Sequence, residues 1–93
     1  MIVSFRDKNS TAFYNGERVA AFSGFDRSAE RKVDQLDAAT TIQDLARPGN
    51  HLEKLKRERE GQWSIRINDQ WRICFTWPKG SNGPQEVEIV DYH

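Results

Sequence analysis

The chain has 93 residues, 30% of them charged, and a formal net charge of zero, which together support one small domain spanning residues 1–93. Neutrality excludes a nucleic-acid binder that relies on charge alone, and no apolar run is long enough to span a bilayer. A single cysteine rules out an intrachain disulfide, and the start, Met1 to Ser10, lacks the basic-then-apolar layout of a signal peptide, so a reducing cytoplasm is the expected setting.

Ile2 to Phe5 is short, apolar and β-compatible, and predicts a first strand. Asn9, Ser10 and Thr11 offer capping side chains ahead of Ala12, Phe13 and Tyr14, and Gly16 follows as a stop, which leaves room for a short helix. Arg18 to Phe25 mixes the helical spacing of Val19, Phe22 and Phe25 with an interrupting Gly24. Asp26 to Ala39 is the clearest helix: Asp26 or Ser28 can cap it, and Ala29, Val33 and Leu36 form a narrow apolar stripe. Thr40-Thr41 breaks that helix and can cap a further turn, with Ile42 and Leu45 facing inward. Arg47-Pro48-Gly49-Asn50 reads as a turn.

Leu52 to Lys56 predicts the next strand, with Lys54 and Lys56 on one side of it, and Arg57 to Gly61 a polar loop. Gly61 to Trp77 is the organising stretch. Trp63, Ile65 and Ile67 alternate with Gln62, Ser64 and Arg66; Trp71, Ile73, Phe75 and Trp77 alternate with Gln70, Arg72, Cys74 and Thr76. Such alternation predicts two strands with one buried and one wet face. A two-residue turn would pair Ile65 with Arg72 and mix the faces. A three-residue loop, Asn68-Asp69-Gln70, pairs Ile67 with Trp71 and Ile65 with Ile73 and keeps them apart. Pro78 to Pro84 is a second loop, and Glu86 to Tyr92 the last strand. Helices followed by a run of strands imply an α+β fold: an antiparallel meander with the helices on one face.

Arg72 stands mid-strand on the predicted wet face, where an always charged fork suits a phosphate or, alternatively, pairs across the strands with Glu86 or Glu88. Lys54, Lys56, Arg59 and Arg66 can extend a basic patch. From His51 to Lys79, seven basic residues face four acidic ones. At the end of the chain, Asp91, Tyr92 and His93 supply a carboxylate, a phenol and an imidazole, three groups useful in acid–base work. Cys74, between Ile73 and Phe75, reads as a small packed residue rather than a nucleophile. His51, Cys74, Asp91 and His93 show no metal-ligand spacing, and the tryptophans read as core rather than as base-stacking platforms.

The run from Leu36 to Trp77, LDAATTIQDLARPGNHLEKLKREREGQWSIRINDQWRICFTW, with the VEIVDYH end, resembles the HigB/GraT branch of the RelE/ParE toxin superfamily. Several spaced motifs occur in the same order: the PGN turn, the LEKLK strand, the WSIRIN–QWRI hairpin and the DYH end. The resemblance implies a helix pair on a twisted antiparallel sheet and a ribosome-dependent mRNA endoribonuclease of a type II toxin–antitoxin module, working without a metal or cofactor. It implies as partners a HigA-type helix-turn-helix antitoxin, the ribosomal A site with its mRNA, and operator DNA only through the antitoxin complex, with no membrane. By position, Arg72 matches the arginine that contacts the scissile phosphate, and Lys56 a basic residue of the active-site strand. Asp91, Tyr92 and His93 match the C-terminal catalytic or RNA-contacting set. Glu53 departs from relatives with histidine there, so Asp91 or Glu53 is left to accept the proton and His93 to donate one. Two alternatives share the scaffold, a ParE-like gyrase inhibitor and an inactive antitoxin- or ribosome-binding protein, because fold alone does not fix chemistry.

Overall fold

The computed structural model describes residues 1–91. In chain order its elements are helix α1 (Lys8–Tyr14), a 3-10 turn at Ala20–Phe22, helix α2 (Asp26–Ala38), a 3-10 turn at Ile42–Leu45, strand β1 (Glu53–Lys54), a 3-10 turn at Arg57–Arg59, and strands β2 (Gln62–Arg66), β3 (Trp71–Thr76) and β4 (Gln85–Asp91). The strands form one antiparallel sheet in the order β1-β2-β3-β4. Ala29, Val33 and Leu36 of α2 close over one face of it, against Ile65, Ile73, Phe75, Val87 and Ile89. This is the expected α+β meander.

The central hairpin has the register that face-matching demanded. Ile65 pairs with Ile73 and Trp63 with Phe75, and the Ile67 amide donates to the Trp71 carbonyl at 2.9 Å. The loop is held from within: Asn68 Oδ1 accepts from the amides of Gln70 and Trp71, both at 2.8 Å. An asparagine that mimics a backbone turn in this way fixes the three-residue loop and, through it, which face every later side chain takes.

Aromatic packing settles the ambiguous segment before α2. Phe22 meets Phe13 and Trp71 edge-on at 5.5 and 5.7 Å between centroids, and Phe25 lies 4.7 Å from Trp71. Only one short turn, Ala20–Phe22, is helical there. At α2 Phe25 occupies the N-cap position in place of the expected Asp26 or Ser28, while Asp26, one residue inside, accepts from the Arg27 amide at 3.0 Å. Asp26 sits in the first turn, where a negative charge complements the helix dipole. The following turn is capped by Thr41, as expected, and Asp44 completes a capping box with it. Hydrogen bonds from the amides of Thr40 and Thr41 hold the Asp44 carboxyl below its usual range.

Three expectations at the edges need correction. The segment Ile2 to Phe5 is not a regular strand. It runs along the outer edge of β4 through one parallel bridge, Phe5 to Val87, with bonds from Val3 N to Pro84 O (2.8 Å) and Val87 N to Ser4 O (3.1 Å). A bulge interrupts the match, since Cys74 pairs with Glu88 but Thr76 with Gln85, leaving one extra residue in β4 near Glu86, whose φ is 53. Helix α1 is capped by Asp7, whose carboxylate accepts from the Ser10 amide at 3.2 Å, not by Asn9, Ser10 or Thr11. Ser10 is buried, and its hydroxyl accepts from the Ile89 amide of β4 at 3.0 Å. The N-terminal segment and α1 thereby cover an edge that would otherwise present open backbone groups. Finally, the strand expected over Leu52 to Lys56 is regular only at Glu53–Lys54, with one further bond from the Leu55 amide to the Gln62 carbonyl at 2.8 Å. Lys56 already precedes the next 3-10 turn, and Arg57 takes φ 60, so the extended run cannot continue.

Among the described residues no helix is long and apolar enough to cross a membrane.

Candidate active site

The sheet face away from the helices carries the candidate chemistry. Register aligns Arg66, Arg72 and Val90 in one row across β2, β3 and β4, and Ser64, Cys74 and Glu88 in the next. Glu53 of β1 pairs with Ser64 and so shares this face. The sequence implied a wet surface here, but Ser64 and Cys74 are both 0% exposed. Long charged side chains on either side explain the difference: Arg59 Nη1 reaches Glu88 and Gln62 at 3.3 and 3.1 Å, while Arg72 folds onto Ser64. Burial pushes the Cys74 thiol up, away from the reactive thiolate.

Arg72 Nε donates to Ser64 Oγ at 2.8 Å, and Nη2 donates to the His51 carbonyl at 2.6 Å. The alternative of a cross-strand pair with Glu88 does not arise, because Arg59 holds that carboxylate. Arg72 is half-buried and, with His51, Leu52 and Glu53, lines an open groove of about 290 Å³. Glu53 is also shared with a second groove of about 220 Å³, lined further by Lys54, Leu55 and Lys56. The fold therefore puts Arg72 and Glu53 on one groove, and Glu53 with the exposed Lys56 on the next.

Other candidates are dispersed. Lys54 pairs with Trp63 and sits on the helix-side face, its Nζ 5.9 Å from the indole centroid, so it does not share a patch with Arg72. It lines the second groove together with Lys56, although β1 ends between them. Arg59 is committed to Glu88, and Arg66 to the exposed Asp69. Asp91 lies opposite Trp71, not beside Arg72, and its Oδ2 accepts from Gln70 Nε2 at 2.9 Å. Tyr92 and His93 lie outside the described residues.

Sequence reasoning missed the groups that hold Arg72. Ser64 was read only as a polar alternation position, and its role as acceptor follows from cross-strand geometry. His51 contributes its carbonyl, about which side-chain chemistry is silent. Asn50 was read as a turn residue, yet it is fully buried and bonded on all sides.

Two helices packed on one face of a four-stranded antiparallel sheet is a fold shared with small toxins. Among solved structures it matches Staphylococcus aureus YoeB in the heterotetrameric YoeB–YefM toxin–antitoxin complex. The TM-score is 0.63 at 20% identity, over 100% of this chain and 95% of that one. The YoeB dimer of the same organism matches at 0.62 and 21%, over 99% and 94%. At such identities the likeness is one of fold. Sequence goes further. The chain belongs to the HigB-like toxins, RelE-like toxins of type II toxin–antitoxin systems, whose family model matches residues 3–93. It is 36% identical over 83 residues to Toxin HigB-1 of Vibrio cholerae, covering 86% of this chain and 87% of that protein. It is 40% identical over 62 residues to the Endoribonuclease HigB of Proteus vulgaris, covering 67% and 65%. Membership in a toxin–antitoxin family makes an antitoxin its natural partner.

Proposed function

We propose that this toxin is a ribosome-dependent mRNA endoribonuclease of the cytoplasm, neutralised by a HigA-type antitoxin whose complex with it binds operator DNA. The observation that carries the reading is Arg72, a guanidinium held by Ser64 and the His51 carbonyl at the mouth of a groove that also contains Glu53. RNA brings its own nucleophile, so the protein has only to orient the chain and manage protons and charge. The 2′-hydroxyl oxygen attacks the adjacent phosphorus as the bond to the 5′ oxygen breaks, leaving a 2′,3′-cyclic phosphate and a 5′-hydroxyl. Arg72 and Lys56 stabilise the charge that develops on the phosphoryl oxygens. Of the two carboxylates, Glu53 is better placed to take the hydroxyl proton, because it lines the groove with Arg72 while Asp91 is paired opposite Trp71. His93 supplies a proton to the leaving 5′ oxygen, and Tyr92 contacts the RNA.

Zero net charge has a place in this scheme. Without a strong field the protein gathers little free RNA, and the ribosome provides the position of the substrate. Mapping mRNA 5′ ends in translating cells after induction, with Arg72→Ala as the control, tests the proposal. Codon-linked cuts that vanish in a folded Arg72→Ala protein support it. Supercoiling defects without cuts point instead to a gyrase inhibitor, and neither effect to an inactive binder. Efficient cutting of naked RNA at physiological salt contradicts the dependence on the ribosome.

A further inference from the structure

His51 takes a left-handed backbone conformation, φ 47. Residues with a β-carbon hold such a conformation only where their surroundings over-determine it. Here the residue immediately before it is pinned. The Asn50 amide group is 0% exposed; Nδ2 donates to Gln35 Oε1 at 2.9 Å and to the Leu45 carbonyl at 3.0 Å, and Oδ1 accepts from Lys32 Nζ. Its main-chain carbonyl accepts from the Arg66 amide at 2.7 Å. Asn50 is thus fastened to α2, to the turn after α2 and to β2 at once. Gly49, at φ 88, turns the chain into this position. The left-handed step at His51 then aims its carbonyl at Arg72 Nη2, while Ser64 holds Nε of the same guanidinium.

We infer that the Asn50–His51 corner is the positioning device for Arg72, with His51 acting through its main-chain carbonyl and backbone conformation and not through its imidazole. The inference rests on reading Arg72 as the group that meets the reacting phosphate. An arginine on a free stem must be ordered at the moment of reaction, whereas one already oriented at two nitrogens meets the developing charge without that cost. It also gives the PGN turn a task beyond reversing the chain: it transmits the packing of α2 to the reacting face of the sheet.

The test is a series at His51, comparing folded proteins carrying His51→Asn, His51→Gly and His51→Val. Asparagine and glycine accept the left-handed region, and valine resists it. One readout is the exchange of the Arg72 Nη2–H protons, which the His51 carbonyl accepts from, in the free toxin at low temperature, their signal assigned by its loss in Arg72→Lys. The other is single-turnover mRNA cleavage on programmed ribosomes over a range of ribosome concentration. His51→Asn and His51→Gly should keep a protected Nη2–H and stay within about threefold of the original rate. His51→Val should lose protection and slow the maximal rate about tenfold, with the half-saturating ribosome concentration unchanged. Lys32→Met, which removes one tie to Asn50 from a half-buried helix position, should speed Nη2–H exchange and slow cleavage about threefold, and serves where His51→Val does not fold. Equal loss of cleavage in His51→Asn and His51→Gly with Nη2–H still protected would overturn the inference in favour of imidazole chemistry. Unaltered exchange in His51→Val or Lys32→Met would overturn it as well. A parent toxin that cuts no mRNA would sink the proposed activity, while the exchange series would still decide whether the corner positions Arg72.

Discussion

The two faces of the sheet are both closed to solvent at their centres, but by different means. On the helix side, Ile65, Ile73, Phe75, Val87 and Ile89 lie under α2 in continuous apolar contact. On the other side, Ser64 and Cys74 are equally inaccessible, yet what lies around them is Arg72, Arg59 and Glu88, joined by hydrogen bonds and an ion pair. Apolar area removed from water stabilises the first face, and that contribution scales with the atoms buried. The second holds charged groups in fixed positions over small residues, which contributes little to folding and much to geometry. Substitutions on the two faces should therefore fail in different assays.

The largest effect on stability is expected from Phe75→Ala, which empties a wholly buried site on the helix side. It should cost about 3–5 kcal/mol in chemical denaturation, a large fraction of the stability of so small a domain. Arg72→Lys is its counterpart on the other face: about a hundredfold less cleavage, with an unfolding free energy within about 1 kcal/mol of the parent, because the charge stays and the fork is lost. A comparable loss of stability in both variants would erase the distinction between the faces. Ser64→Ala is intermediate. Removing the acceptor of Arg72 Nε should lower cleavage about tenfold and cost about 1 kcal/mol. Normal cleavage in that variant would mean that the hydroxyl is packing alone.

A smaller effect lies outside both faces, in the turn at Thr41. The folded state depresses the Asp44 pKa through the amides of Thr40 and Thr41, so its contribution is present above the unfolded carboxylate pKa and lost as pH falls through the folded value. Stability measured between neutral and acid pH should thus decline less steeply in Asp44→Asn than in the parent. Identical slopes would show that the box does not form in solution.

Legibility followed the range of the interaction. The hairpin loop and the PGN turn both centre on an asparagine, and only one was readable. Asn68 bonds to amides two and three residues ahead, so local sequence and the need to match faces gave its loop length correctly. Asn50 bonds to Lys32 and Gln35, which precede it by 18 and 15 residues, and nothing nearby distinguishes it from a solvated turn residue. The same contrast separates the two helix starts. At the turn after α2 the capping role of Thr41 is local and was visible, although Asp44, which closes the box, was not singled out. The start of α2 is taken by Phe25 packing on Trp71, a contact between distant parts of the chain. At the candidate site, Arg72 was recognised from alternation and resemblance, whereas its partners Ser64 and His51 belong to other segments.

By itself the sequence determined the α+β order, the faces of the central hairpin, the apolar stripe of α2 and the residue on which the proposed chemistry turns. Each is set by periodicity or by bonds spanning a few residues, and these the order of residues encodes directly. Tertiary structure alone decided that the outer face would be closed at Ser64 and Cys74, that Lys54 would stand away from Arg72, and that the residue after a buried asparagine would aim its carbonyl at the Arg72 guanidinium. Those outcomes depend on where separate segments meet, which is fixed only when α2, the PGN turn and the sheet pack together.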